Sequence, residues 1–177
     1  MSSLRKRLVP PVIVLLASPL AARAQEDAPR APDADWPMYH RDLSGTRYSP
    51  LTEIDRSNVD RLELKWVYRF NRPGKRITGP APFELYQQIT PIVVDGVMYM
   101  PSGDRVVALW PESGEEIWVH ELDEGLASFR GVSYWPGDDE HAPRIFFTSL
   151  RKLIALDAAT GRRVEGFGAN GEITLDV

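Results

Sequence analysis

The chain carries one pattern twice, with an offset of 47 residues and no gap. Residues 96–114 (GVMYMPSGDRVVALWPESG) lie over 143–161 (PRIFFTSLRKLIALDAATG). Val97-Met98-Tyr99-Met100 falls on Arg144-Ile145-Phe146-Phe147, and Val106-Val107-Ala108-Leu109 falls on Leu153-Ile154-Ala155-Leu156. Ser113-Gly114 falls on Thr160-Gly161. Each copy is a short β-rich run, a polar turn, a second β-rich run ending in Ala-Leu, and a turn closing on Gly. Asp95-Gly96 is a hairpin signal between Thr90–Val94 and Val97–Met100. Glu115 to Leu122 predicts a further strand with Trp118 inside it. Leu62 to Phe70 (LELKWVYRF) reads as the same outer strand of an earlier copy, with Trp66 in the place of Trp118.

A period of roughly 40–50 residues with four short strands per copy marks a β-propeller blade. One four-stranded sheet cannot bury both faces alone, so each blade needs neighbours. Trp66, Trp118 and the apolar strands are expected to fill the seams, and the Gly after Ser113 and Thr160 suits a turn residue with positive φ. A β-sandwich also spaces short strands evenly; the position-by-position match favours the propeller. The fold class is therefore all-β: antiparallel four-stranded blades in an incomplete propeller of about two to three blades, where closed rings have roughly 4–8. This shortage carries the expectation that the chain is the N-terminal piece of a longer protein or an incomplete gene product. Gly171 to Val177 reads as a new strand that begins and stops.

Ahead of the repeats stands an address. Arg5, Lys6 and Arg7 form a basic start, Leu8 to Ala22 carry no charge, and Ala22-Arg23-Ala24 offers a small-x-small cleavage site, so residues 1–24 read as a secretory signal. The uncharged run falls short of the ~20 residues a membrane span needs, and Pro10, Pro11 and Pro19 interrupt it. Export to the periplasm is expected, with no transmembrane helix once the signal is gone. Loss of Arg5, Lys6, Arg7 and Arg23 takes the net charge from -4 to -8. Residues 25–35 (QEDAPRAPDAD) read as a flexible lead-in and 36–177 as the partial propeller. The acidic balance gives no footprint for nucleic acid. With no Cys, disulfides, thiolate metal sites and cysteine nucleophiles are excluded.

Several spaced motifs in order then resemble a known family. Asp35-Trp36-Pro37-Met38-Tyr39, Arg47-Tyr48-Ser49-Pro50-Leu51, Ile54, Asn58-Val59, Leu62 and Trp66 resemble the N-terminal signature of the pyrroloquinoline-quinone (PQQ) dependent dehydrogenases. Thr90 to Tyr99 (TPIVVDGVMY) resembles that family's first blade, and Arg130-Gly131-Val132-Ser133-Tyr134-Trp135 its RGxxYW segment. The likeness spans nearly all of 35–177 and is nearest the glucose and polyol or alcohol quinoproteins. It implies an eight-bladed propeller that holds PQQ and Ca2+ on its axis and oxidises a sugar or alcohol. Electrons then pass to ubiquinone or a cytochrome.

Arg130 matches the family arginine that reaches the cofactor. A guanidinium is a permanent, planar partner for the carboxylates of PQQ, and Gly131 leaves room for close backbone approach. Gln88 falls where much of the family has Glu near the cofactor; it keeps hydrogen-bonding capacity without charge. A surface arginine and a polar strand-start residue are the plain alternatives for these two positions. Where many members have Cys before the Arg, sometimes stacked on the PQQ ring, this chain has Ser128-Phe129, with Phe129 expected in core packing and an apolar or stacking face toward the cofactor as the alternative. In family order the catalytic Asp and the calcium ligands lie beyond residue 177, so the chain alone is expected to be inactive. The alternative is a non-catalytic periplasmic scaffold propeller with PQQ-like repeats.

Other candidates read as structure. His40, His120 and His141 lack metal-ligand spacing. Asp138-Asp139-Glu140 lacks a calcium-loop pattern and reads as a solvated loop. Gly166-Phe167-Gly168 has no following Lys-Ser/Thr and reads as a turn. Tyr134 and Trp135 read as blade packing.

Overall fold

The computed structural model describes residues 34–70 and 88–176. The leader, and the lead-in up to residue 33, lie outside the described residues. Asp35, read as the end of that lead-in, is buried, and its carboxylate accepts the Asp95 amide at 3.2 Å. Two four-stranded antiparallel sheets follow in sequence order. The first is β1 (Ile92–Val94), β2 (Val97–Pro101), β3 (Arg105–Leu109) and β4 (Glu116–Glu121). The second is β5 (Ser133–Trp135), β6 (Arg144–Ser149), β7 (Lys152–Asp157) and β8 (Glu172–Thr174). Among the described residues no helix is long and apolar enough to cross a membrane.

The 47-residue offset survives in three dimensions, since β2 and β3 map onto β6 and β7. The Asp95-Gly96 hairpin forms as expected. Both residues have positive φ, 49° and 73°, the twist that a two-residue turn needs to match its strands. The outer strand of the second sheet departs from the repeat. Leu156 bridges Arg163 and the Val164 amide donates to Ala155, then the chain leaves the ladder and returns at Gly171, whose carbonyl takes the Ala155 amide at 2.9 Å. The new strand read within Gly171 to Val177 forms as β8, the fourth strand of the second sheet, paired with β7.

Burial separates the propeller from the sandwich. A sandwich sheet buries one face, so its strands alternate inside and outside. All five residues of β3 are buried. One face, with Val106 and Ala108, joins a core shared with Ile145, Phe147, Ile154 and Leu156 of the second sheet. The other, with Val107 and Leu109, packs with Met100 against Tyr68 and Phe70. The first sheet is thus the middle layer of three. At about 25 cal/mol per Å² of apolar surface, covering both faces supplies what one sheet cannot.

The two seams repeat one joint. The Trp118 indole N–H donates to the Ala158 carbonyl at 2.9 Å and its ring lies against Gly161, where an added Cβ meets ring carbon at 2.5 Å. Likewise, the Trp66 N–H donates to the Pro111 carbonyl at 2.9 Å, and a Cβ on Gly114 meets the Trp66 ring at 2.6 Å. Ala158 and Gly161 are Pro111 and Gly114 moved on by 47 residues. The segment around Trp66 holds the place of an earlier blade's outer strand, as read from sequence. It does not form a strand, because a strand needs a ladder and residues 62–69 have no strand partner among the described residues. Side chains fix it instead. Tyr68 donates its hydroxyl to Glu116 at 2.7 Å, and the buried Arg105 guanidinium reaches the Arg69 carbonyl at 3.3 Å.

His120 of β4 sits in the second seam. Its Nδ1 lies 3.0 Å from the Gly161 carbonyl, which places the proton there, and its buried Nε2 has no hydrogen-bond partner among the described residues. Burial pushes the His120 pKa below its ordinary value, and Arg163 pushes the same way against the Gly161 carbonyl and Asp123. The unfolded chain then takes up this proton first. The contribution is full above about pH 6.5 and is lost as pH falls toward the lower folded value. Melting followed from pH 7 to 5 is expected to show a drop that His120→Gln flattens; parallel curves would refute this.

Apolar side chains remain exposed along residues 38–67, among them Tyr39, Leu43, Tyr48, Leu64 and Val67. Patches of this kind drive association. The 177-residue chain by itself is expected to elute as oligomers in size-exclusion chromatography, and a cooperatively melting monomer would contradict this.

Candidate functional site

Strand direction sorts the loops onto two ends. β1 starts, β2 ends, β3 starts and β4 ends at one end of the first sheet. β5 starts, β6 ends and β7 starts at the same end of the second, because every neighbour is antiparallel. Gln88 and Thr90 precede β1, and Arg130 and Gly131 precede β5. Both sequence candidates, Gln88 and Arg130, therefore stand at this end although 42 residues separate them.

A parallel bridge joins the segments that lead into β1 and β5. Thr90 pairs with Gly131, and the Thr90 amide donates to the Arg130 carbonyl at 3.3 Å. Upstream, the Ala127 amide donates to Gly103 of the first blade at 2.9 Å and the Ser128 amide to Thr148 of the second at 2.8 Å. Arg130 thus stands on a turn tied to both blades. Its side chain is exposed, and among the described residues no carboxylate forms an ion pair with it. The guanidinium carbon lies 5.6 Å from the centroid of the Phe129 ring, within reach of a weak cation–π contact. Gln88 is exposed as well. Chemically this is a solvent-facing set of hydrogen-bond donors with one positive charge that no carboxylate among the described residues pairs, suited to an anion.

Phe129 corrects the sequence reading. It was expected in the core but is 42% exposed beside Arg130. It falls in the turn before β5, where no strand pleat directs it inward. Gly131 allows a close backbone approach, and its partner is the first blade. Its φ is 140°, and the close approach it permits is to the Thr90 carbonyl oxygen, 3.0 Å from a built Cβ. Thr90 escaped sequence reasoning as a site residue, since a Thr ahead of Pro91 reads as an ordinary strand start.

The remaining candidates are structural. Tyr134 stacks with Tyr99, centroids 6.4 Å apart, and Trp135 lies under the Arg144 guanidinium at 5.2 Å. Burial, then Tyr134 and nearby carboxylates, pushes the Tyr99 pKa up to about 12, so that hydroxyl stays protonated. Asp138 accepts from His141 Nδ1 at 2.7 Å and from the Glu140 amide at 3.0 Å, a self-contained loop whose bonds hold its carboxyl below the usual range. Among the described residues no group of three or more His, Asp or Glu could hold a metal ion.

Comparison with known proteins identifies the same β-propeller fold. Residues 36–177 match the family model described as PQQ: glucose/ethanol/alcohol dehydrogenase, beta-propeller domain. The glycerol dehydrogenase large subunit of Gluconobacter oxydans (strain 621H) is 35% identical over 173 residues, covering 89% of this chain and 22% of that protein. The quinoprotein glucose dehydrogenase of Escherichia coli (strain K12) is 33% identical over 160 residues, covering 81% and 20%. The crystal structure of quinohemoprotein alcohol dehydrogenase from Comamonas testosteroni superposes with a TM-score of 0.53 at 30% identity, covering 79% of this chain and 21% of that one. The chain spans about a fifth of the length of the curated relatives it matches.

Proposed function

Since the chain belongs to the PQQ-dependent glucose, ethanol and alcohol dehydrogenase family of β-propellers, we propose that it forms the first blades of a periplasmic quinoprotein that oxidises a sugar or alcohol. The observation that carries this reading is the Thr90–Gly131 bridge, which joins the segments that bear Gln88 and Arg130 at one end of the sheets. PQQ bears three carboxylates. An exposed guanidinium with no ion pair among the described residues, on a segment bridged to the one that bears Gln88, fits such a group. Arg130 would hold a carboxylate through paired charge-assisted hydrogen bonds, and Gln88 would add a neutral one. When bound, the quinone supplies two-electron uptake from the substrate carbon. This chain's residues bind and orient; the general base and the Ca2+ ligands belong to further blades. Ubiquinone or a cytochrome is the proposed electron acceptor. The Arg130 charge, with no ion pair among the described residues, supports this reading over a scaffold propeller.

The test is reconstitution of a polypeptide carrying these blades with PQQ and Ca2+, followed by dye reduction with glycerol, glucose and ethanol. PQQ-dependent reduction with at least one of them is expected from the whole polypeptide, and none from residues 25–177 alone. PQQ binding and turnover both absent from the whole polypeptide would leave the scaffold reading in its place.

A further inference from the structure

The turn that carries Arg130 meets the first blade at one backbone pair. Gly131 has φ 140°, a conformation that L side chains rarely adopt, and a Cβ there would lie 3.0 Å from the Thr90 oxygen. That oxygen is backbone. It cannot rotate away as a side chain can, so relief requires the two strand starts to part. The Thr90 amide, on the same residue, holds the Arg130 carbonyl at 3.3 Å. Parting the pair therefore moves Arg130 relative to Gln88, which lies two residues before Thr90.

We propose that Gly131 is a positioning residue for Arg130, and that its parallel bridge to Thr90 makes docking of the two blades and assembly of the Gln88–Arg130 pair a single event. This rests on the reading that this end receives the anionic quinone. Small displacements at a binding group cost much more than the contact displaced. A rigid backbone bridge between blades is one means of preventing them, and only Gly admits it here.

The experiment is a double-mutant cycle in the polypeptide that carries these blades, read as PQQ dissociation constant by fluorescence titration of the apo form, with melting temperature alongside. Gly131→Ala is expected to weaken PQQ on the order of tenfold. In an Arg130→Ala background the same change is expected to cost under about twofold, because a positioning residue acts through the group it positions. Gly96→Ala serves as the strain control: φ is 73° but the space around a Cβ is open, and PQQ affinity is expected to hold. Equal losses in both Arg130 backgrounds would make Gly131 merely structural and overturn the proposal, as would no loss at all. If the unsubstituted polypeptide fails to take up PQQ, the functional reading itself falls and this inference with it. Should Gly131→Ala fail to fold, hydrogen exchange on the unsubstituted protein decides. The Thr90 amide is expected to slow several-fold on PQQ loading, and unchanged exchange would overturn the proposal.

Discussion

Gly161→Ala is expected to destabilise the joint between the two blades by about 3 kcal/mol. Two costs combine. The residue has φ 69°, where an L side chain costs roughly 1–2 kcal/mol. Its Cβ would also stand 2.5 Å from the Trp118 ring, and overpacking a closed site costs roughly 1–3 kcal/mol more. Trp118 has nowhere to go. It is buried, its N–H is committed to the Ala158 carbonyl, and its ring lies 5.9 Å from Tyr99. Gly96→Ala isolates the first cost, because its φ is similar and nothing lies within 4 Å of the added methyl; about 1–2 kcal/mol is expected there. Gly114→Ala meets the Trp66 ring at 2.6 Å, but that ring is half-buried and can yield, so an intermediate effect is expected. Denaturant unfolding of the three variants checks the order. If Gly161→Ala costs no more than Gly96→Ala, the Trp–Gly joint does not hold the seam.

The same joint shows what was legible in the sequence. Trp66 and Trp118 were recognisable as equivalent before any coordinates, and Gly114 and Gly161 as equivalent turns. The partnership between them was not, because each Trp meets a Gly 43 or 48 residues onward in the next blade. A one-dimensional repeat reports what recurs, not what touches. The Asp95-Gly96 hairpin was legible because a two-residue turn determines its own geometry. The strand after Gly171 was legible as a strand, but its place in the second blade was not. The excursion of residues 165–170 breaks the period, and only the β7 ladder brings Glu172 to Thr174 back. Phe129 was misplaced because hydrophobicity alone votes for the core, while a turn residue follows no strand pleat. Arg130 and Gln88 were found through resemblance. Their common placement needed strand direction, and the Thr90 contact needed a backbone conformation that sequence does not display.

Arg130→Ala is expected to weaken PQQ binding roughly 10- to 150-fold in the polypeptide that carries these blades. A hydrogen bond to a charged group contributes about 1.5–3 kcal/mol, and each 1.4 kcal/mol is about tenfold in affinity. Arg130→Lys separates charge from shape. It keeps the positive charge but loses the planar fork, so an intermediate loss is expected, with the remainder falling as salt is raised. Gln88→Ala removes a single hydrogen bond from an uncharged donor, worth about 1 kcal/mol, an effect of roughly fivefold. The order Arg130→Ala, Arg130→Lys, Gln88→Ala follows from the chemistry of an anion at this end of the sheets. It does not follow from fold stability, because both side chains are exposed and neither belongs to the apolar core. Melting temperatures are therefore expected to change little while PQQ affinity falls. Affinity unchanged in Arg130→Ala would remove the guanidinium from the cofactor site and leave it a surface arginine at the start of a strand.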